Sequence, residues 1–176
     1  MTDRDTRILG VDPGSRITGF GVIETRGGGY QYIASGCITA RGETLAERLR
    51  SLFRGMEEVV GEYTPAVMAV ERVFVQRNVD SALKLGQARG AVICAGALQP
   101  LAVHEYTPAE IKKAIVGKGN ADKAQIQHMA KVLLNLRGAL SADAADALAC
   151  ALCHAHLARS LERMSRCRQT MTAGPQ

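Results

Sequence analysis

The chain of 176 residues has no tryptophan, and aromatic residues make up 4% of it against 47% hydrophobic residues. A core built from this composition is aliphatic and rich in alanine. No apolar run approaches the roughly 20 residues that a membrane span requires, which excludes a transmembrane helix. The first residues, MTDRDTR, are too charged to open a secretory signal, so the expectation is a cytoplasmic protein. Its five cysteines are an odd number without an export signal, and they read as reduced thiols rather than a disulfide framework. Internal repeats and interdomain linkers are absent as well. The chain fits one domain of ordinary size, able to bury a core without staples.

What is present begins with charge. The formal net charge is +5, a balance that suits a polyanionic partner better than an acidic one. Along the chain, residues 8–11, 18–25 and 30–39 read as three strands, joined by connections short enough for an antiparallel meander. Leu45, Leu49, Leu52, Met56, Val59 and Val60 then recur at helical spacing up to Pro65. A doubly buried strand is expected at 66–71 and a small-residue helix at about 78–98. A short strand follows at 101–106. A helix capped by Thr107, with Pro108 at its first position, breaks at GKGN. Two more helices start near Asp122 and at Ser141, the second running to about residue 163. The expected fold is α/β: a mixed five-stranded sheet, three strands of meander plus two parallel strands, with helices on both faces.

Two of the apolar strands end alike, ILGVD on Asp12 and VMAVE on Glu71. If they lie parallel and adjacent, both carboxylates reach the edge where open α/β sheets carry their sites. One such acid is commonly a turn residue; two that close fully apolar runs point to a site. SADAADALAC adds Asp143 and Asp146, three residues apart and hence on one helical face. Ser141 as N-cap and the helix dipole account for Asp143 alone. Four carboxylates together suit hard divalent cations, and two such ions are a recurring device for phosphodiester cleavage. The glycines of DPGSRITGFG resemble the phosphate-holding turn of the actin and Hsp70 ATPases. They lack the Gly-Lys-Ser/Thr ending of a P-loop, and the chain has room for only one of the two domains those ATPases need. The loop reads as a presenter of Asp12, its glycines letting the hairpin turn closely.

GVDPGSRITGFGVI, ERVFVQRNVDSALKLGQARG and DAADALA together resemble the RuvC family of Holliday-junction resolvases, across nearly the whole chain and in the family's order. The resemblance implies a ribonuclease H-like nuclease domain over 8–160, a flexible extension at 1–7 and a basic mobile tail at 161–176. It implies that Asp12, Glu71, Asp143 and Asp146 hold two Mg2+ ions, with Mn2+ able to substitute and Asp12 bridging the pair. Neither haem nor nucleotide is expected. Lys112 and Lys123 fall where the family has basic residues implicated in DNA binding and catalysis. Phe74 matches an aromatic that stacks on a base near the crossover, and Arg77 is assigned to DNA beside it. Implied partners are four-way junction DNA, a second copy of the chain and the RuvA–RuvB branch-migration complex. The implied role is paired nicking in recombination and repair. Rival readings are a ribonuclease H-like nuclease acting on RNA–DNA hybrids and a junction-binding protein without turnover.

Several residues carry plainer readings. Lys113 and Lys118 are expected to be solvated. CALCH, Cys150 to His154, fits a haem-attachment pattern, but it continues a helix without a break and reads as core cysteines. His128 is read as structural. Arg159, Arg163, Arg166 and Arg168 could touch DNA arms. Gly86 and Gly90 in the small-residue helix allow close backbone approach, either to a second subunit or to the sheet.

Overall fold

The structure is a computed structural model that describes residues 5–72, 78–119 and 121–172, the side chains of 162–163 and 166–172 excepted. Three strands open the chain: β1 (Thr6–Asp12), β2 (Ile17–Arg26) and β3 (Gly29–Thr39). They form the expected antiparallel meander. Next come helix α1 (Leu45–Tyr63), strand β4 (Val67–Glu71), helix α2 (Val79–Ala97) and strand β5 (Ala102–Tyr106). The helices α3 (Pro108–Val116), α4 (Lys123–Leu133) and α5 (Ala142–Thr172) complete the chain. The sheet order is β3-β2-β1-β4-β5, with β1, β4 and β5 parallel. No described helix is long and apolar enough to cross a membrane.

Local signals fix the helix starts. Thr44 and Glu47, Thr107 and Glu110, and Asp122 and Gln125 each make a reciprocal capping box, satisfying donors that the first helical turn leaves without partners. Gly117 ends α3 in the left-handed region at φ 75°, a conformation glycine takes without a Cβ penalty. Two boundaries differ from the sequence reading by more than one residue. β1 starts at Thr6, two residues early, where Arg7 pairs with Glu24 on β2. α5 runs to Thr172 rather than ending near 163. Its last turns lack an apolar stripe, but nothing from Leu161 to Thr172 breaks a helix, and the first breakers are Gly174 and Pro175.

Alternation along the strands divides the core in two. Leu9, Val11, Val22, Met68 and Val70 face α1 and α2. Ile8, Ile23 and Ala69 face the layer made by α3, α4 and α5. Leu45, counted on the apolar face of α1, is 41% exposed at the first helical position, before the helix reaches the sheet. α5 is buried nearly all round over 144–155, pressed between the sheet and the pair α3 and α4. A stripe of one polarity cannot mark such a helix, so its small residues carry the signal instead.

How α5 lies on the sheet positions the rest. Gly10 and Gly21 are register partners, as are Asp12 and Gly19, so all four project to the α5 side. A Cβ at Gly10 would lie 1.9 Å from the Ala147 carbonyl oxygen, and one at Gly19 2.1 Å from that of Asp143. At Gly21 it would lie 2.6 Å from the Leu148 side chain. The helix backbone thus rests directly on strand backbone. The glycines of GFG, read from sequence as giving the hairpin a close turn, are a seat for α5. Gly10→Ala should lower stability by about 1–3 kcal/mol through overpacking. Chemical denaturation measures this, and an unchanged midpoint would contradict the seating.

Candidate active site

Asp12 is the last residue of β1 and Glu71 the last of β4. The parallel register pairs Val11 with Val70, so the two acids end neighbouring strands at one edge. Alternation sends both to the α5 face, following Gly10 and Ala69. The N-terminus of α5 comes down on the same edge, since the carbonyl of Asp143 sits over Gly19, the partner of Asp12. Ser141 caps this helix through its hydroxyl, which accepts from the Ala144 N–H at 3.3 Å. Three segments distant in sequence thereby bring Asp12, Glu71, Asp143 and Asp146 to one place.

The basic residues are placed unequally. Lys123 Nζ lies 2.6 Å from Asp146 Oδ2, and Gln127 Nε2 donates to Asp146 Oδ1 at 3.2 Å. Lys123 and Gln127 are four residues apart on α4, so one helical face grips both oxygens of one carboxylate. Lys123 is the first residue of α4, a position where the helix dipole disfavours a cation. The acids opposite offset that cost. Gln127 did not figure among the sequence candidates, although its spacing from Lys123 could have found it. Lys112 is half-buried on α3 and acts on Glu71 at longer range. Lys113 and Lys118 are exposed, as expected. Phe74 and Arg77 lie outside the described residues.

The acids crowd one another. Burial first, then repulsion from Glu71, Asp146 and Asp143, pushes the Asp12 carboxyl up from 3.8 to about 7, against the pull of Lys123. Glu71 is raised by burial and by Asp146, while Lys123 and Lys112 draw it down. Lys123 is held above its ordinary value, chiefly by its hydrogen bond to Asp146. Such a surplus of oxygen-donor charge suits a hard cation. Among the described residues the acids do not close into a ready three-ligand shell, and Asp146 is turned toward Lys123.

The other candidates resolve simply. Cys150 and Cys153 are buried, and burial raises both thiols, Cys153 to about 12. They are core cysteines, as their place in an unbroken helix implied. His154 Nδ1 lies 2.7 Å from the Tyr106 hydroxyl, and burial lowers it to about 4. His128 is exposed on α4, so the core does not use it. The Arg159 guanidinium donates to the carbonyl of Gly28 in the β2–β3 turn. The side chains of Arg163, Arg166 and Arg168 lie outside the described residues.

The Asp12 shift has a thermodynamic consequence without metal. Between pH 4 and pH 7 the unfolded chain has already lost this proton while the folded chain keeps it, so stability falls as pH rises through that window. Asp12→Asn removes the effect. In chelator at pH 8 the variant should be more stable than the parent by on the order of 2 kcal/mol, after discounting for partial solvent screening. At pH 4 the gap should close. Urea denaturation at both pH values measures it, and an equal gap at both would contradict the shift.

A family model described as crossover junction endodeoxyribonuclease RuvC matches residues 8–154. The RuvC of Hahella chejuensis is 56% identical over 158 residues, covering 90% of this chain and 92% of its own. The structure of Thermus thermophilus RuvC in complex with Holliday junction substrate superposes with a TM-score of 0.83 at 32% identity, covering 88% of this chain and 96% of that one. The yeast mitochondrial Holliday junction resolvase shares the fold, with a TM-score of 0.68 at 14% identity over 94% of this chain and 86% of its own. The chain belongs to the RuvC family of crossover junction endodeoxyribonucleases, metal-dependent nucleases with a ribonuclease H-like fold.

Proposed function

We propose that this chain resolves four-way DNA junctions, hydrolysing one phosphodiester per subunit with Asp12, Glu71, Asp143 and Asp146 as the metal ligands. The convergence of these acids from β1, β4 and α5 at one sheet edge, with Lys123 beside them, carries the reading. The donor set is all carboxylate, which fits Mg2+, with Mn2+ as a substitute, and four acids are enough for two ions. A divalent cation held there supplies charge that activates water and steadies the leaving oxygen. The chain's own part is placement. Asp12 and Glu71 are fixed by strand register, and Asp143 and Asp146 by the seat of α5. Lys123, 63% exposed in its side chain, is free to turn from Asp146 toward a phosphate and offset its charge. Lys112 adds positive potential on the Glu71 side. Phe74, on the family's pattern, and Arg77 are assigned to DNA.

Comparing cleavage of a synthetic four-way junction, a matched duplex and an RNA–DNA hybrid tests the substrate. Preferential cutting of the junction is expected, and preference for the hybrid would replace this reading. Asp146→Asn should abolish cleavage and leave junction binding within a few-fold of the parent, since phosphate contacts elsewhere position the DNA. Substantial nicking by this variant in saturating magnesium would remove Asp146 from the ligand set.

The working unit is proposed to be a two-fold dimer, because opposed strands of a junction need two sites related by that symmetry. α2 supports this. Val79, Leu83 and Leu98 are 77%, 61% and 68% exposed, while Gly86 and Gly90 are exposed and a Cβ on either would meet nothing within 4 Å. Neither glycine packs against the sheet, which removes the alternative use for the close approach they permit. Gly86→Leu should fold normally, sediment as a monomer and make single uncoupled nicks. A variant that stays dimeric would exclude this face, and analytical ultracentrifugation decides it.

A further inference from the structure

Arg16, Arg48 and Lys84 are basic residues that the site described above does not use. They line a cavity of about 430 Å3 together with Ser15, Leu45 and Ser81. The cavity lies where the loop after β1 meets the first turns of α1 and α2. The β1–β2 loop, the start of α1 after β3 and the start of α2 after β4 all emerge at the sheet edge that carries Asp12 and Glu71. α1 and α2 cover the opposite face of the sheet from α5. The cavity therefore shares an edge with the acids and sits across the sheet from Lys123.

Its charge is one-sided. Three cations and no carboxylate line it, and among the described residues none of the three makes an ion pair within 4 Å. Asp80, one turn before Lys84, makes no such pair with it. In the sequence, residues 73–77, which precede α2, include no acid. Like charges gathered in a concave site repel one another, and the low-dielectric walls concentrate their field on whatever enters. The wall that carries Arg16 is also held in place. Its carbonyl accepts from the Ala40 N–H at 2.8 Å, and the Thr18 hydroxyl bonds back to Gly14 inside the same loop. Ser15 and Ser81 add hydroxyls of the kind that bond phosphate oxygens.

We propose that Arg16, Arg48 and Lys84 hold backbone phosphates of the DNA strand that leaves the active site, carrying it over the sheet edge into the groove between α1 and α2. The inference rests on the junction-resolving reading and extends it with a binding track on the face opposite Lys123. The contacts are with phosphate, so they position the substrate without reading sequence.

The test is the salt dependence of junction binding by the full chain, measured in the cleavage-deficient Asp146→Asn background. Neutralising one cation that holds a phosphate should reduce the slope of log K against log salt by about 0.9. Arg48→Gln with Lys84→Gln should therefore flatten it by close to two, for junctions of any sequence. Lys113→Gln with Lys118→Gln, exposed and outside the groove, should leave it unchanged. Lys84→Gln alone, a single change on a helix surface, should flatten it by about one and serves if the double variant folds poorly. An unaltered slope in both groove variants overturns the proposal, as does an equal flattening in the control pair. A parent that fails to bind four-way DNA would instead refute the junction-resolving reading, and the groove proposal with it.

Discussion

The site depends on one close contact, the backbone of α5 lying directly on the backbone of β1 and β2. Side chains normally hold packed layers apart, about 10 Å for two stacked sheets. Here glycines at 10, 19 and 21 remove that spacer on the strand side, and alanines at 147 and 151 remove it on the helix side. Only then can two acids in the first two turns of α5 reach acids that end two strands. The same contact explains the composition. A helix pressed between the sheet and α3 and α4 has little room for bulk, so the core is rich in alanine and poor in aromatics. The capping boxes of α3 and α4 then bring Lys123 and Gln127 to the other side of the acids.

Electrostatics works against this assembly. Burial and mutual repulsion disfavour the ionised form of Asp12, and Lys123 compensates only part of the negative charge. The protein maintains this repulsion with strand register and helix seating, which draw their energy from the two apolar clusters. Strain at the site is carried by packing elsewhere, as is common where function opposes stability. The unpaired cations of the α1–α2 groove are a second imbalance of the same kind, with opposite sign.

Much of this could be read from sequence. The meander followed from two short connections, and the start of α3 followed from Thr107 with Pro108 after it, because caps are local. The four acids were legible because three of them close or open apolar segments, where a charge is conspicuous. Contacts between distant segments were not. Gly19 and Gly21 carry the same letters whether they loosen a turn or seat a helix, and only the register with Gly10 and Asp12 distinguishes the two. Gln127 is an ordinary helix residue until Asp146 stands opposite. Arg159 reads as a free cation until the β2–β3 turn closes beneath it. The far end of α5 has no stripe to mark it, and its extent reflects only the lack of a breaker.

The seating of α5 also fixes a phase. Asp143, Ala147 and Ala151 meet the sheet at intervals of four residues, and each residue of an α-helix advances the face by about 100°. An insertion or deletion between 143 and 151 would swing the acids away from Asp12 while leaving composition and helix length almost unchanged. The span from Gly10 to Asp12 is bound in the same way, since slipping by one residue sends a strand side chain to the other face. Within these short intervals the number of residues matters as much as their identity. Past Leu157, which still packs on the core, and Arg159, which still bonds Gly28, the chain can lengthen or shorten without disturbing the four carboxylates.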